Sequence, residues 1–297
     1  MKISSTSLEA LRVAFNAAFQ GGLDMAAAQS ARIAFEIPST TKEERLGWLQ
    51  KLPNVREWIG DRVINNLAEA DYSIKNKDWE LTIGVKRTDI EDDNLGIYTP
   101  LFQEMGQSTG GHRETLIFAV LKAGFTTNCW DGQYFFDTDH PVLDATGNLT
   151  TYANTDGGAG TPWFLLCSKR VLKPIVWTNR KPWNFINKDN PADPNVFMKN
   201  EFLYGADARY NVGFGLPQLA WGSKQTLDAT SYAAARSGIM GMKGDYGRPL
   251  GLVPDLLVVP PSLESAARKL LNSEYGAGGV TNEWKGTAEL LVVPWLA

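Results

Sequence analysis

The strongest periodic signal in the chain lies between Trp79 and Met105. Trp79, Leu81, Ile83 and Val85 alternate with Glu80, Thr82 and Gly84, the period of two that marks a half-buried strand. Asp89, Glu91, Asp92 and Asp93 follow within a few positions. Their charge suits the positive end of a helix expected to begin near Asn94. Leu95, Tyr98, Phe102 and Met105 then recur at spacings of three or four, one apolar stripe on that helix. Pro100 inside it removes a backbone hydrogen bond and predicts a kink. Gly106, Gly110 and Gly111 predict a loosened middle before helical character resumes over 113–124, with Leu116, Ile117, Val120 and Leu121 on one side.

Upstream, Thr6-Ser7-Leu8-Glu9 reads as a capping box, and Leu8, Leu11, Phe15, Ala18 and Phe19 share one helical face that Gly21-Gly22 should end. That stripe suits an ordinary first helix or an arm docked on a neighbouring subunit. Residues 26–31 form a further short helical or flexible piece. Between Val55 and Arg87 the pattern predicts a long hairpin with a polar tip around Glu69 to Lys77. Two strands alone are marginal in water and expose unpaired backbone groups, so such a hairpin makes sense when another chain covers it.

Downstream, the Thr/Asn/Gly-rich stretch from Gly147 to Gly160 reads as a surface loop. Trp163 to Leu166, Ile175 to Trp177, Phe197 to Leu203 and Leu216 to Trp221 predict an antiparallel sheet, interrupted by a Pro/Asn/Asp insertion at 187–195. Thr226 to Met240 reads as a helix and Leu256 to Val259 as a buried strand. Leu263, Ala266, Ala267, Leu270 and Leu271 form the apolar face of a helix capped near Ser262. Leu290 to Val293 is a last strand.

Composition changes the picture by exclusion. Of 297 residues, 43% are hydrophobic and 11% aromatic, enough for a substantial core of large side chains. A formal charge of -4, with no cluster of five Lys or Arg, argues against a nucleic-acid binder. No apolar run approaches the ~20 residues that span a bilayer, and no signal-peptide core follows Met1. Cys129 and Cys167 form no spacing motif, so the expectation is a reduced protein, soluble and cytosolic when made.

Candidate chemistry is sparse. Asp137, Asp139 and His140 offer ligand atoms, but the His-Pro step and neighbouring aromatics suit a turn. Neither cysteine has a histidine close in sequence to make a nucleophilic pair. The stretch from Gly241 to Gly247 lacks the Lys-Ser/Thr ending of a phosphate loop. Asp92-Asp93 is explained by helix capping. No catalytic residue, cofactor or metal is expected.

An ordered set of motifs carries a resemblance across nearly the whole chain. They are GWL at Gly47, PNVREWIG at Pro53, IGVKRTDIEDDNLGIYTPLFQEMG at Ile83, DGQYFF at Asp131, DHPV at Asp139, FLYGADARYNVGFG at Phe202, GRPLG at Gly247, LLVVPPSLESAARKLL at Leu256 and LVVPWL at Leu291. In this order they resemble the major head proteins of Mu-like phages and prophages. Loop lengths near 147–160 and 187–195 depart from that pattern.

The resemblance implies an α+β tailed-phage capsid fold of the HK97-like type. Residues 1–53 would be an N-terminal arm, 54–88 an extended hairpin loop and 89–127 the spine helix of a peripheral domain. Residues 128–297 would hold the rest of that domain and an axial domain. It further implies copies assembling as hexamers and pentamers into an icosahedral shell around double-stranded DNA, without sequence-specific binding. Scaffolding and portal proteins would assist, and a decoration protein would be a possible addition. Assembly is expected in the host bacterial cytoplasm, and the product is the virion. On this reading Trp58, Trp79, Leu81, Ile83, Leu11 and Phe15 are candidate subunit contacts, and Pro100, Gly106, Gly110 and Gly111 candidate hinges. Lys75, Asn76 and Lys77 at the expected tip are candidates for a Lys–Asn cross-link of the kind some related capsids use. Two rivals stand beside it, a cargo-enclosing nanocompartment shell of the same fold and a soluble enzyme with a surface hairpin.

Overall fold

A computed structural model describes residues 3–46, 72–92, 95–276 and 279–297. The chain opens with α1 (Ser5–Met25), β1 (Ala34–Pro38), β2 (Glu43–Arg45), β3 (Ser73–Lys75), β4 (Lys77–Lys86), α2 (Arg87–Glu91) and α3 (Tyr98–Ala123). Then come β5 (His140–Leu143), β6 (Leu149–Tyr152), β7 (Thr155–Gly158), β8 (Trp163–Leu166), β9 (Ile175–Lys188), α4 (Pro194–Lys199) and β10 (Glu201–Phe214). It closes with β11 (Ala220–Lys224), α5 (Ala229–Met240), β12 (Lys243–Gly244), β13 (Arg248–Pro249), β14 (Leu256–Val259), α6 (Glu264–Asn272) and β15 (Glu289–Val292).

Two larger sheets organise these elements. One has the order β1-β9-β10-β4, parallel between β1 and β9 and antiparallel elsewhere. The other has the order β15-β14-β8-β11-β7. Its strands β8 and β14 are apolar at every position because both faces are covered. Trp163 and Leu165 of β8, with Leu257 and Val259 of β14, face the core under α5 and α6. Phe164, Leu166, Leu256 and Val258 face the opposite core, which contains Ile117, Phe118 and Leu121 of α3. A third core joins Phe15 and Phe19 of α1, Phe102 and Met105 of α3, and Val85, Phe202 and Tyr204 of the first sheet.

Helix α3 corrects the expected interruption. It runs unbroken from Tyr98 to Ala123. Pro100 falls in its first turn, where the missing N–H would have had no intrahelical partner, so it causes no kink. The glycines are contact sites. A Cβ on Gly106 would collide with the Phe19 carbonyl, and one on Gly110 with Ala26. On the other helix, Gly22 does not stop α1. It lies against the backbone of Gln103, and α1 continues to Met25. The cap of α1 is Ser4, whose side chain accepts from the Ser7 N–H, so the capping box lies two residues before the one expected at Thr6–Glu9. Ser30, in a short 3-10 turn after α1, places its N–H 2.8 Å from the buried Glu114 carboxylate and its hydroxyl on the other oxygen. The chain from Ser5 to Ser30 is thereby fixed along α3.

Two other expectations change. The polar stretch at 147–160 contains β6 and β7, which stay polar because β6 pairs only with β5 and β7 lies at a sheet edge. Phe197, read as the start of a strand, belongs to α4, and the strand begins at Glu201.

The glycine contacts predict opposite outcomes for one substitution type. Gly106→Ala should destabilise the subunit by ~2 kcal/mol or more, as overpacking against backbone does. Gly111 has no heavy atom within 4 Å of its Cβ position. Gly111→Ala should therefore stabilise by ~0.5–1 kcal/mol through helix propensity. Urea unfolding of the two variants checks the pair; equal responses would contradict the close-contact role.

Candidate assembly surface

Strand β4 confirms the alternation read from Trp79 to Val85. Opposite Ala208, Ala206, Tyr204 and Phe202 of β10 stand Trp79, Leu81, Ile83 and Val85. Their burial grades along the strand. Val85 is fully buried, Ile83 and Trp79 are half-buried and Leu81 is 36% exposed. The far edge of β4 has no partner among the described residues, since the sheet ends there. A ten-residue strand with one open ladder of N–H and C=O groups is a template for pairing with another chain.

Beside this edge lies a groove of about 430 Å³ lined by Trp79, Trp183 and Trp295, with Thr109 and His112 of α3 behind them. Trp79 Nε1 donates to the Tyr210 carbonyl at 3.0 Å, and its ring centroid lies 4.4 Å from that of His112. His112 Nδ1 is 2.7 Å from the Tyr210 hydroxyl. Burial lowers the pKa of His112, which keeps the imidazole neutral in this aromatic setting. The aromatic wall of the groove is held by fixed partners, and its polar lining, Glu80, Ser108, Thr109 and Thr115, includes no paired acids.

The expected hairpin is redrawn. Its tip was placed at 69–77, but β3 pairs antiparallel with β2 and belongs to the body. Ile74 is 3% exposed and Asn76 5%. Asn76 donates to Ser39 Oγ and the Thr41 carbonyl and accepts from Thr178 Oγ1. With its amide engaged on all three sides, Asn76 is not positioned for a cross-link. The N–H of Leu46 bonds to the Tyr72 carbonyl at 3.1 Å, so both ends of segment 47–71 are clamped together. Trp58, with GWL at Gly47 and the motif at Pro53, lies outside the described residues.

The remaining candidates separate by burial. Phe15 stacks on Phe102 at 4.3 Å and meets Tyr204 edge-on, so its ring is committed to its own chain. Leu11 is partly buried beside the same core. The glycines assigned as hinges face α1, apart from Gly111. Sequence periodicity missed one exposed apolar pair, Phe197 and Met198 on α4, at 86% and 76% exposure. Their neighbour Val196 packs inward with Leu8, Ile90 and Tyr98, and Ile97 and Leu101 are exposed at the same end of α3. Two adjacent apolar residues outside any period-two or helical stripe were the available signal.

One chemical cluster also escaped the sequence reading, which gave neither cysteine a nearby histidine. Cys129, Asp131 and His140 come together, whereas Asp137 and Asp139 bond to local backbone and to Thr138. Asp131 lies between the other two, accepting from the Cys129 thiol at 3.0 Å and from His140 Nδ1 at 2.6 Å. Burial first, and then the bond to Asp131, raise the thiol's pKa far above its ordinary value. A thiol held protonated and separated from the imidazole by a carboxylate is not an activated nucleophile.

The family model for the Mu-like prophage major head subunit gpT matches residues 8–296. The chain belongs to the Mu-like major head subunit family. It is 41% identical over its full length to the major capsid protein of Escherichia phage Mu, all of which is covered. It is also 41% identical to the Mu-like prophage FluMu major head subunit of Haemophilus influenzae, with 96% of each covered. Among solved structures, the procapsid of bacteriophage JBD30 matches with TM-score 0.89 and 43% identity, covering 99% of this chain and all of that one. The JBD30 capsid matches with TM-score 0.78 and 34% identity over the full length of both. The head subunit thus has the α+β phage capsid fold, and its relatives are structural proteins, not enzymes. No helix among its described residues is long and apolar enough to cross a membrane.

The graded burial of β4 predicts a split between stability and surface. Trp79→Ala should cost the isolated subunit ~3 kcal/mol, within the range for a large aromatic packed with its hydrogen bond. Leu81→Lys should change stability by less than ~1 kcal/mol, because the side chain is already partly in water. Thermal unfolding of the two variants checks this order.

Proposed function

We propose that this head subunit is the shell-forming protein of a Mu-like phage head, whose copies associate as hexamers and pentamers around double-stranded DNA. The observation that carries the reading is the full-length match to major head subunits on a fold whose sheet ends in an open strand. The open edge of β4, the tryptophan groove and the exposed apolar end at α4 are the contact surfaces. Burying Leu81, Phe197 and Met198 between copies would contribute roughly 1.5–3 kcal/mol for each side chain fully covered.

Residues 1–53 are the arm on this reading, although the part up to Leu46 has extensive contacts with its own chain. The extended loop, expected over 54–88, ends before Tyr72, since Tyr72 onward is built into the body. The spine at 89–127 centres on α3. The rest of the peripheral domain and the axial domain fall within 128–297, with the five-stranded sheet assigned to the axial part. Scaffolding and portal proteins act during assembly in the bacterial cytoplasm. A decoration protein is a further partner by analogy, since one JBD30 capsid structure carries minor capsid protein trimers. The acidic balance of -4 limits adhesion to packaged DNA.

The test is negative-stain microscopy of the subunit expressed with its scaffolding protein. The wild type should give closed shells. A variant with 47–71 replaced by a short Gly-Ser link should fold, because its ends already meet at the Leu46–Tyr72 bond, yet give no shells. Leu81→Lys should lower particle yield at least tenfold. Normal particles from the loop replacement would remove the loop's assigned role, and a wild type that stays monomeric with its scaffold would overturn the reading.

A further inference from the structure

The cluster at Cys129, Asp131 and His140 has no part in the assembly surface, yet it is more elaborate than a loop turn needs. The loop leaves α3 and doubles back at Gly132, where φ is 86°. The Cys129 N–H bonds to the Gln133 carbonyl at 2.8 Å, and the Gly132 N–H to the Cys129 carbonyl at 3.2 Å. This turn directs Cys129 and Asp131 inward to meet His140 at the start of β5. The Asp131 and His140 side chains are almost wholly buried, and Cys129 is 5% exposed. The ligand atoms of all three lie within 4.8 Å of one another.

Nearby polar groups are incompletely satisfied. His140 Nε2, Trp130 Nε1 and Tyr152 Oη are buried without a hydrogen-bond partner, and the Tyr152 ring stacks on His140 at 4.9 Å. Buried polar atoms ordinarily have partners, so the unpaired His140 Nε2 and the Tyr152 hydroxyl leave this polar cluster incompletely satisfied. Sulfur, imidazole and carboxylate together form a donor set suited to zinc. A thiolate, a carboxylate and a neutral imidazole carry two negative charges, which one divalent cation neutralises in a dry site.

We propose that Cys129, Asp131 and His140 bind one Zn²⁺, which staples the loop after α3 to the β5–β6 hairpin. A water fills the fourth position. Ligand atoms about 2.0–2.3 Å from zinc stand roughly 3.3–3.5 Å apart in a tetrahedron. The present spacings of 2.6 Å for Asp131–His140 and 3.0 Å for Cys129–Asp131 therefore widen by less than an ångström on binding, while the Cys129–His140 pair, now within 4.8 Å, draws together. Binding forms the zinc–sulfur bond, releases the thiol proton to solvent and moves the imidazole proton from Nδ1 to Nε2, leaving Nδ1 free to ligate.

Cobalt(II) tests the proposal, because a thiolate ligand to it gives a charge-transfer band in the near ultraviolet. Chelator-treated full-length subunit should develop that band, saturating at one equivalent, and zinc should displace it. Cys129→Ser should abolish the band, Cys167→Ser should retain it, and His140→Gln should weaken binding at least about tenfold. Zinc should also raise the subunit's melting temperature. A folded wild type that develops no band, or a band that depends on Cys167, would overturn the site. The wild-type titration decides the matter even if the Cys129 variant fails to fold.

Discussion

The structure depends on how closely α1 approaches α3. Gly22, Gly106 and Gly110 remove the side chains that would hold two helices at their ordinary separation, and backbone then lies against backbone. Phe15, Phe19 and Phe102 fill the space beside this contact and rest on Tyr204 and Phe185 of the first sheet. Glu114 fixes Ser30 farther along the same helix. The two helices and the first sheet are thus combined into one packed body, and close-packed interiors do not deform continuously.

A body of that kind restricts where a shell subunit can adapt. One chain placed in several environments needs joints. Inside α3 a joint would have to break glycine contacts that hold α1 in place. The surfaces left open to adaptation among the described residues are instead the free side of β4 and the apolar end around α4. These are also the surfaces least satisfied within a single copy.

Much of this organisation was legible in the sequence. The two-residue period at 79–85 appears as β4, and the continuous apolar runs at 163–166 and 256–259 appear as strands covered on both faces. The helical face at 263–271 appears as α6. The failures share a physical cause. Gly106 and Gly110 weaken a helix by intrinsic propensity, but a partner helix reverses their meaning, and that partner lies some 80 residues away. Pro100 looked disruptive only because the helix was started four residues early. Strands β6 and β7 were hidden because polar strands at sheet margins lack an apolar period. The Cys129–Asp131–His140 group depends on a turn at Gly132 that spacing alone does not reveal.

The central claim is that the body is complete within one chain while its β4 edge is completed by another. Hydrogen exchange along β4, compared between isolated subunits and purified shells, tests this most directly. The account predicts that β4 amides pointing away from β10 exchange rapidly in the subunit and become protected in the shell, while amides of α3 stay protected in both. Equal exchange of those β4 amides in the two states would contradict it.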